Sequence, residues 1–129
     1  MYKLQSIEEY GTTRVLILEN VDTGRQERCF DDSLLLDFNN FEFMKVGNSY
    51  QCKILLVGKV DSAGELFTYL GKERVGSKKL LKLAGSDQSL YYLDEGGVWY
   101  TLQENQSLMV SYSRKDLIQV EETIHPSLR

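Results

Sequence analysis

The side chains that could carry out chemistry in this chain are few and widely spaced. Its single histidine, His125, lies beside Pro126 near the end of the sequence. A general base must be held in a defined position, so we expect this histidine to be an exposed residue of the tail. One histidine also cannot build a histidine-based metal cluster. Cys29 and Cys52 lack a CxxC spacing, and we expect both to pack as small apolar side chains.

The carboxylates do not match a known catalytic or metal-binding spacing. Asp31, Asp32, Asp37 and Glu42 do not follow the calcium-loop pattern, and capping of a short helix over residues 33–38 explains them better. The sequence contains no GxSxG, GxxxxGK[ST] or GxGxxG motif. We therefore expect no catalytic residues, no metal and no cofactor, and an enzyme ranks last among the possible functions.

A basic segment between residues 71 and 85 is the most unusual feature of the composition. Its five cations, opposed only by Glu73, are Lys72, Arg74, Lys78, Lys79 and Lys82. One interpretation is an anion or nucleic-acid site, with Phe67, Tyr69 and Tyr91 as stacking partners. The other is the solvated face of a short amphipathic helix that Ser77 would cap. The helix is the ordinary explanation, and we favour it.

The stretch Val46–Gly58 organises the predicted fold. It opens with a Gly-Asn-Ser turn signal and continues as a strand-like run. One face of that strand would carry Tyr50, Cys52, Ile54 and Leu56, and the other face Lys53, Leu55 and Val57. Because the second half is apolar on both faces, we expect the strand to end buried on both sides.

Turn signals recur about every ten residues on either side of this stretch, which favours antiparallel hairpins. We predict strands at 4–10, 13–20 and 25–30, a hairpin turn at 61–64, and a strand at 116–120. The fold class is thus all-β, or β-rich α+β: a small antiparallel barrel or sandwich with one or two short helices. Over about Tyr2 to Leu70 the order of elements resembles an OB-fold or an SH3-like barrel.

We assign residues 1–129 to one β-rich domain. Residues 1–70 form a first barrel-like half, 71–85 a basic helix or loop connector, 86–120 a meander of three to four strands, and 121–129 a frayed tail.

The meander would place aromatic side chains in rows. If both of its hairpins close symmetrically, Tyr92 faces Trp99 and Trp99 faces Tyr112, while Tyr91 and Tyr100 lie on the opposite face. Both faces are too apolar to sit in water. One must be core, and the other must be covered by the chain itself or by a partner, as at an interface.

Composition and charge limit the choice of partner. The net charge of −4 disfavours a general nucleic-acid binder. No window has a membrane-spanning length, and the first nine residues lack the apolar run of a signal peptide, so we expect a cytoplasmic protein that is not a membrane protein. We predict function by binding, to another protein or to a second copy. The alternative is an OB-like module for single-stranded nucleic acid that uses residues 72–82.

Overall fold

The computed structural model describes residues 1–94 and 102–129, and the regular structure there is mostly β, as predicted. The strands are β1 (Tyr2–Tyr10), β2 (Thr13–Asn20), β3 (Gln26–Asp31), β4 (Ser49–Tyr50), β5 (Cys52–Val75), β6 (Lys78–Ala84), β7 (Leu90–Leu93), β8 (Ser107–Val120) and β9 (Thr123–Ile124). Three single 3-10 turns lie at Ser33–Leu35, Phe41–Phe43 and Pro126–Leu128.

All nine of these strands belong to one open, mixed sheet. Its order is β4-β1-β2-β3-β8-β5-β6-β7, with β9 added beside β8 and a second pairing between β5 and β7. The contacts of β3 with β8 and of β5 with β7 are parallel, and the other pairings are antiparallel. Within the described residues the sheet does not close on itself, so the predicted OB-like or SH3-like barrel is not observed.

The first three strands lie close to the ranges predicted for them and pair in antiparallel order. Asn20 ends β2, and its Oδ1 accepts hydrogen bonds from the backbone N–H groups of Asp22 and Thr23. Gly24 then takes a φ of +76°, which glycine adopts without steric cost. β3 is not the polar edge strand that its composition suggests, because it pairs with β2 along its length and with β8 at Phe30.

β5 is one continuous strand, so the hairpin predicted at residues 61–64 is wrong. Val60 and Glu65 both pair with Val110 of β8, and the intervening residues form a bulge. The Asp61 carboxylate accepts the N–H of Ala63 at 3.0 Å within this bulge. The same Asp and Gly residues that favour a turn also suit a bulge, and the choice depends on the strand alongside.

The basic segment is also a strand pair rather than a helix connector. β6 lies antiparallel to the end of β5, and its leucines alternate between faces. Leu81 and Leu83 enter the main core, whereas Leu80 joins Val75 in a second apolar cluster on the other face. A strand that is buried on both faces does not alternate between polar and apolar residues. The leucines of β6 therefore matched the pattern of an amphipathic helix.

The predicted aromatic row does not form as drawn. Within the described residues β7 pairs with β5 and β6: Tyr92 lies opposite Lys82 and Leu55, whereas Tyr112 lies opposite Gly58 on β5. Trp99 and Tyr100 lie outside the described residues, as does most of the strand predicted for 98–103. Tyr92 belongs to the second apolar cluster and Tyr112 packs against the main core.

The last residues are folded onto the sheet, so the frayed tail is also wrong. β9 pairs with the end of β8, and Leu128 is buried in the second apolar cluster. The Leu128 carbonyl accepts the N–H of Ser77 at 2.5 Å, which ties the chain end to the β5–β6 turn. None of the helices in the described part of the chain is long and apolar enough to cross a bilayer.

Candidate protein-binding loop

The segment between β3 and β4 exposes large apolar side chains. We call residues 32–43 the docking loop. Leu35 and Leu36 are each 54% exposed, and the Phe38 ring is fully exposed at 103%. Phe43, at the end of the loop, is 43% exposed and makes an edge contact with the ring of Tyr50. Contiguous exposed apolar side chains of this kind mark interaction sites on soluble proteins.

A buried ion pair fixes the base of the docking loop. Arg14 on β2 and Asp31 at the end of β3 are both buried, and Arg14 Nη2 donates to Asp31 Oδ2 at 2.7 Å. The same nitrogen donates to the carbonyl of Phe41 at 3.0 Å. Buried charges are tolerated only when paired and hydrogen-bonded, so this contact sets where the loop leaves and rejoins the sheet.

Short hydrogen bonds then shape the loop from within. Asp31 Oδ1 accepts the N–H of Ser33 at 2.9 Å, and Ser33 Oγ accepts the N–H of Phe41 at 3.2 Å. Asn40 Oδ1 accepts the N–H of Glu42 at 2.8 Å and caps the second 3-10 turn. These contacts replace the one or two helical turns predicted at 33–38, of which only a single 3-10 turn forms.

The end of the chain holds the outer side of the docking loop. His125 is 7% exposed, and its Nε2 lies 2.6 Å from Asp32 Oδ1. Arg129 Nη1 donates to Asp37 Oδ2 at 2.7 Å, and Arg129 also donates to the carbonyl of Asn39. The expectation that His125 is an exposed bystander is therefore wrong, because folding of the tail buries it against the loop.

Beside the loop lies a cleft of about 260 Å³. Its walls are Glu9, Gly11, Thr12, Arg14, Leu34 and Leu35. Tyr10, in the neighbouring β1–β2 turn, is exposed. The exposed acids Asp37 and Glu42 lie within the loop itself. Because Asp37 is paired with Arg129, the negative charge that borders the apolar surface comes from Glu9 and Glu42.

No family model matches this sequence, and comparison with curated proteins and with solved structures finds no significant match. Function therefore has to follow from the geometry of the chain itself.

The five predicted anion-binding cations are divided between the two faces of the sheet. Arg74 lies opposite Lys79 on one face of the sheet, and Lys72, two residues before Arg74, lies on the same face. Lys78 and Lys82 lie on the opposite face, which also carries Glu73. The structure therefore does not gather them into one basic surface.

Two of these lysines already have carboxylate partners. Lys78 Nζ lies 2.9 Å from Asp94 Oδ2, and Lys82 Nζ lies 3.4 Å from Glu73 Oε1. Glu73 also accepts hydrogen bonds from the Tyr92 hydroxyl at 2.6 Å and from Lys53 Nζ at 2.9 Å. The cluster lines a cleft of about 260 Å³ and joins both ends of the long strand β5 to β6 and β7.

The protonation of Glu73 follows from these contacts. Its partial burial alone would raise the pKa. The hydrogen bonds from Tyr92 and Lys53 and the charges of Lys53 and Lys82 outweigh that effect and lower the pKa from 4.5 to about 2. For Tyr92, burial and the hydrogen bond to Glu73 raise the pKa of its hydroxyl well above the usual value. The cluster is thus a carboxylate held ionised by three donors, which suits a structural tie.

A second charged network, which the sequence did not reveal, is buried in the main core. Glu27 on β3 is 1% exposed. It accepts hydrogen bonds from the Tyr91 hydroxyl at 2.5 Å and from Lys115, and Arg25 Nε lies 3.1 Å from it. Lys115 also lies over the rings of Tyr91 and Tyr112. In the sequence, the sign of this network is a glutamate within the alternating pattern of β3. The same pattern is common on strands that face solvent.

The proposed aromatic interface does not fit these positions. Tyr91 and Tyr92 are each almost fully buried, at 1% and 3%, and so cannot contact a partner. Tyr112 is half-buried and packs on Phe67. Trp99 and Tyr100 fall outside the described part of the chain. Among the described residues, the docking loop instead exposes four large apolar side chains, Leu35, Leu36, Phe38 and Phe43.

Both cysteines pack against the main core, as predicted. Burial raises the pKa of the Cys29 thiol well above its usual value. Burial, with the nearby charge of Glu121, raises that of Cys52 to about 12. Neither thiol is ionised near neutral pH, so neither is a ready nucleophile.

Proposed function

We propose that this protein works by binding another protein through the docking loop. The observation that carries the proposal is the fully exposed ring of Phe38 on a loop that is fixed at its base and on its outer side. Preorganisation lowers the entropic cost of association, and aromatic anchors dominate the energy of protein interfaces. An apolar group held in water by a buried ion pair and by the folded chain end fits a binding role.

The charge around the loop indicates the chemistry of the partner. Glu9 lines the adjoining cleft, and Glu42 directly precedes the exposed Phe43. The whole chain carries a net charge of −4. We therefore propose a partner that presents an apolar segment flanked by Lys or Arg, because complementary charge speeds encounter and selects the partner. The division of the basic residues between two faces favours this proposal over nucleic-acid binding.

A defined probe tests the proposal. We would titrate a 15N-labelled chain with a synthetic amphipathic peptide that carries leucines on one face and lysines on the other. We expect amide shifts concentrated in residues 32–43 and affinity that falls as salt is raised. Phe38→Ala should weaken binding about 30-fold, the loss typical of an interface hot spot.

Leu66→Ala is the matched control, since Leu66 is 56% exposed on β5 and lies outside the docking loop. It should leave the affinity unchanged. Equal effects of the two variants, or shifts scattered over the sheet, would overturn the proposal. Light scattering at high concentration tests whether a second copy of the chain binds the docking loop instead. A dimer that dissociates in the Phe38→Ala variant would show that the partner is a second copy and not a basic protein.

A further inference from the structure

Ser127 and His125, at the end of the chain, form a hydroxyl–imidazole–carboxylate series with Asp32 of the docking loop. Ser127 Oγ lies 2.8 Å from His125 Nδ1, and His125 Nε2 lies 2.6 Å from Asp32 Oδ1. The N–H of Ser127 also donates to Nδ1 at 3.1 Å, so in the neutral ring Nδ1 is the acceptor and Nε2 carries the proton. His125 is buried and Ser127 is exposed.

The series opens onto a cavity of about 210 Å³. Apolar side chains form much of its wall, including Phe30, Leu55, Ile118 and Leu128. Lys78 also lines it. The cavity thus has room for a small apolar group, and its polar lining consists of Ser127, His125, Lys78, Asp32 and Asp116.

We propose that Ser127 is a nucleophile toward small, activated acyl esters, with His125 as its general base and Asp32 as the residue that positions the base. A serine hydroxyl is activated when a base within hydrogen-bond reach is itself oriented by a third group. The ring is used in the opposite sense to that of serine proteases, in which Nε2 faces the serine and Nδ1 faces the carboxylate. In the tautomer that carries its proton on Nε2, the lone pair of Nδ1 faces Ser127, whose N–H and Oγ both approach it.

The reaction balances with water as the only co-reactant. Ser127 Oγ bonds to the acyl carbon while its proton passes to Nδ1. The carbon–oxygen bond to the alcohol then breaks, and the alcohol leaves with that proton. Water attacks the acyl-serine, again giving a proton to Nδ1, and the acid is released as Ser127 regains its proton. Asp32 stabilises the imidazolium through Nε2 in each half-reaction.

The surrounding donors limit the reactivity. The N–H of Leu128 donates to the carbonyl of His125, and that of Arg129 donates to the carbonyl of Pro126. These groups are therefore not directed at an oxyanion, and Lys78, the cation among the lining residues, is paired with Asp94. We accordingly expect slow turnover of esters with good leaving groups, and efficient labelling by a reagent that needs only an activated serine.

An alkyl fluorophosphonate and p-nitrophenyl butyrate are the probes. The reagent forms an Oγ–phosphorus bond and releases fluoride, and mass spectrometry of peptides locates the adduct. We expect one adduct, on Ser127, formed about 100-fold faster than on the exposed Ser62 of the β5 bulge. Ser127→Ala should abolish the adduct and the initial release of nitrophenol, whereas Ser62→Ala should change neither.

Asp32→Asn tests the positioning role. It should slow labelling of Ser127 about 100-fold, and circular dichroism identical to that of the wild type shows that the fold is retained. Absence of an adduct on Ser127, or labelling at the rate of Ser62, overturns the proposal. Ester hydrolysis that survives Ser127→Ala also overturns it. The adduct and the ester hydrolysis are measured without a binding peptide, so their failure would leave the proposal for the docking loop standing.

Discussion

Lys115 on β8 donates a hydrogen bond to the buried carboxylate of Glu27 on β3, across the junction where these strands share a single ladder pair. The ladder pair joins Phe30 to Asp116. The backbone contributes little to this junction, and the Glu27 network supplies a polar link between the β1–β3 meander and the rest of the sheet.

Replacing Glu27 with Gln should therefore destabilise the protein severely. The substitution keeps the shape of the side chain but leaves Lys115 without its counter-charge in the core, and breaking a buried pair costs about 3 kcal/mol or more. Urea unfolding measures the change. Glu8→Gln, which breaks an exposed pair with Arg28, is the control and should leave the free energy of unfolding nearly unchanged. Similar losses in the two variants would contradict a structural role for Glu27.

Removing the His125 side chain should release the chain end. His125→Ala removes the contact with Asp32 and the cap on the last 3-10 turn, and a loss of about 1–3 kcal/mol is expected. Hydrogen exchange should accelerate at residues 123–128 and in the docking loop but not in β2. A variant whose exchange is unchanged would show that β9 and Leu128 suffice to hold the segment.

The contribution of Glu73 should disappear in acid. Its folded pKa, about 2, lies below the unfolded value near 4.5, so the unfolded chain binds the proton more tightly between these limits. The stabilisation is present above pH 4.5 and is lost as the pH falls to 2. Glu73→Gln should thus be less stable than the wild type at pH 7, by about 1 kcal/mol after solvent screening. The free energies of unfolding of the two proteins should become equal near pH 2. A difference that persists at that pH would rule out this ionic origin.

Gly64 should tolerate no side chain. A Cβ at this position would lie 2.2 Å from the backbone carbon of Val110, so the β5 bulge could not approach β8 as it does. Gly64→Ala should cost about 3 kcal/mol through this overlap. Gly24→Ala, where a Cβ meets nothing within 4 Å but φ is +76°, should cost only about 1 kcal/mol. Thermal unfolding of both variants checks whether Gly64→Ala is the more destabilising of the two.

The sequence by itself determined the strands whose signals are local. β1, β2 and β3 lie close to the predicted ranges 4–10, 13–20 and 25–30, and Tyr50, Ile54 and Leu56 are buried on one face as expected. A period of two and a turn residue with positive φ act within a few neighbouring residues, so a single sequence is enough to read them.

Only the tertiary structure decided which strands pair and which polar groups meet. The 61–64 segment became a bulge because β8 runs alongside it, and the leucines of β6 became strand residues because both faces are covered. Glu27 and Lys115 are 88 residues apart and Asp32 and His125 are 93 apart, so neither contact leaves a local pattern. Such contacts form only after the sheet has assembled, because burial and pairing then depend on chain segments that are distant in sequence.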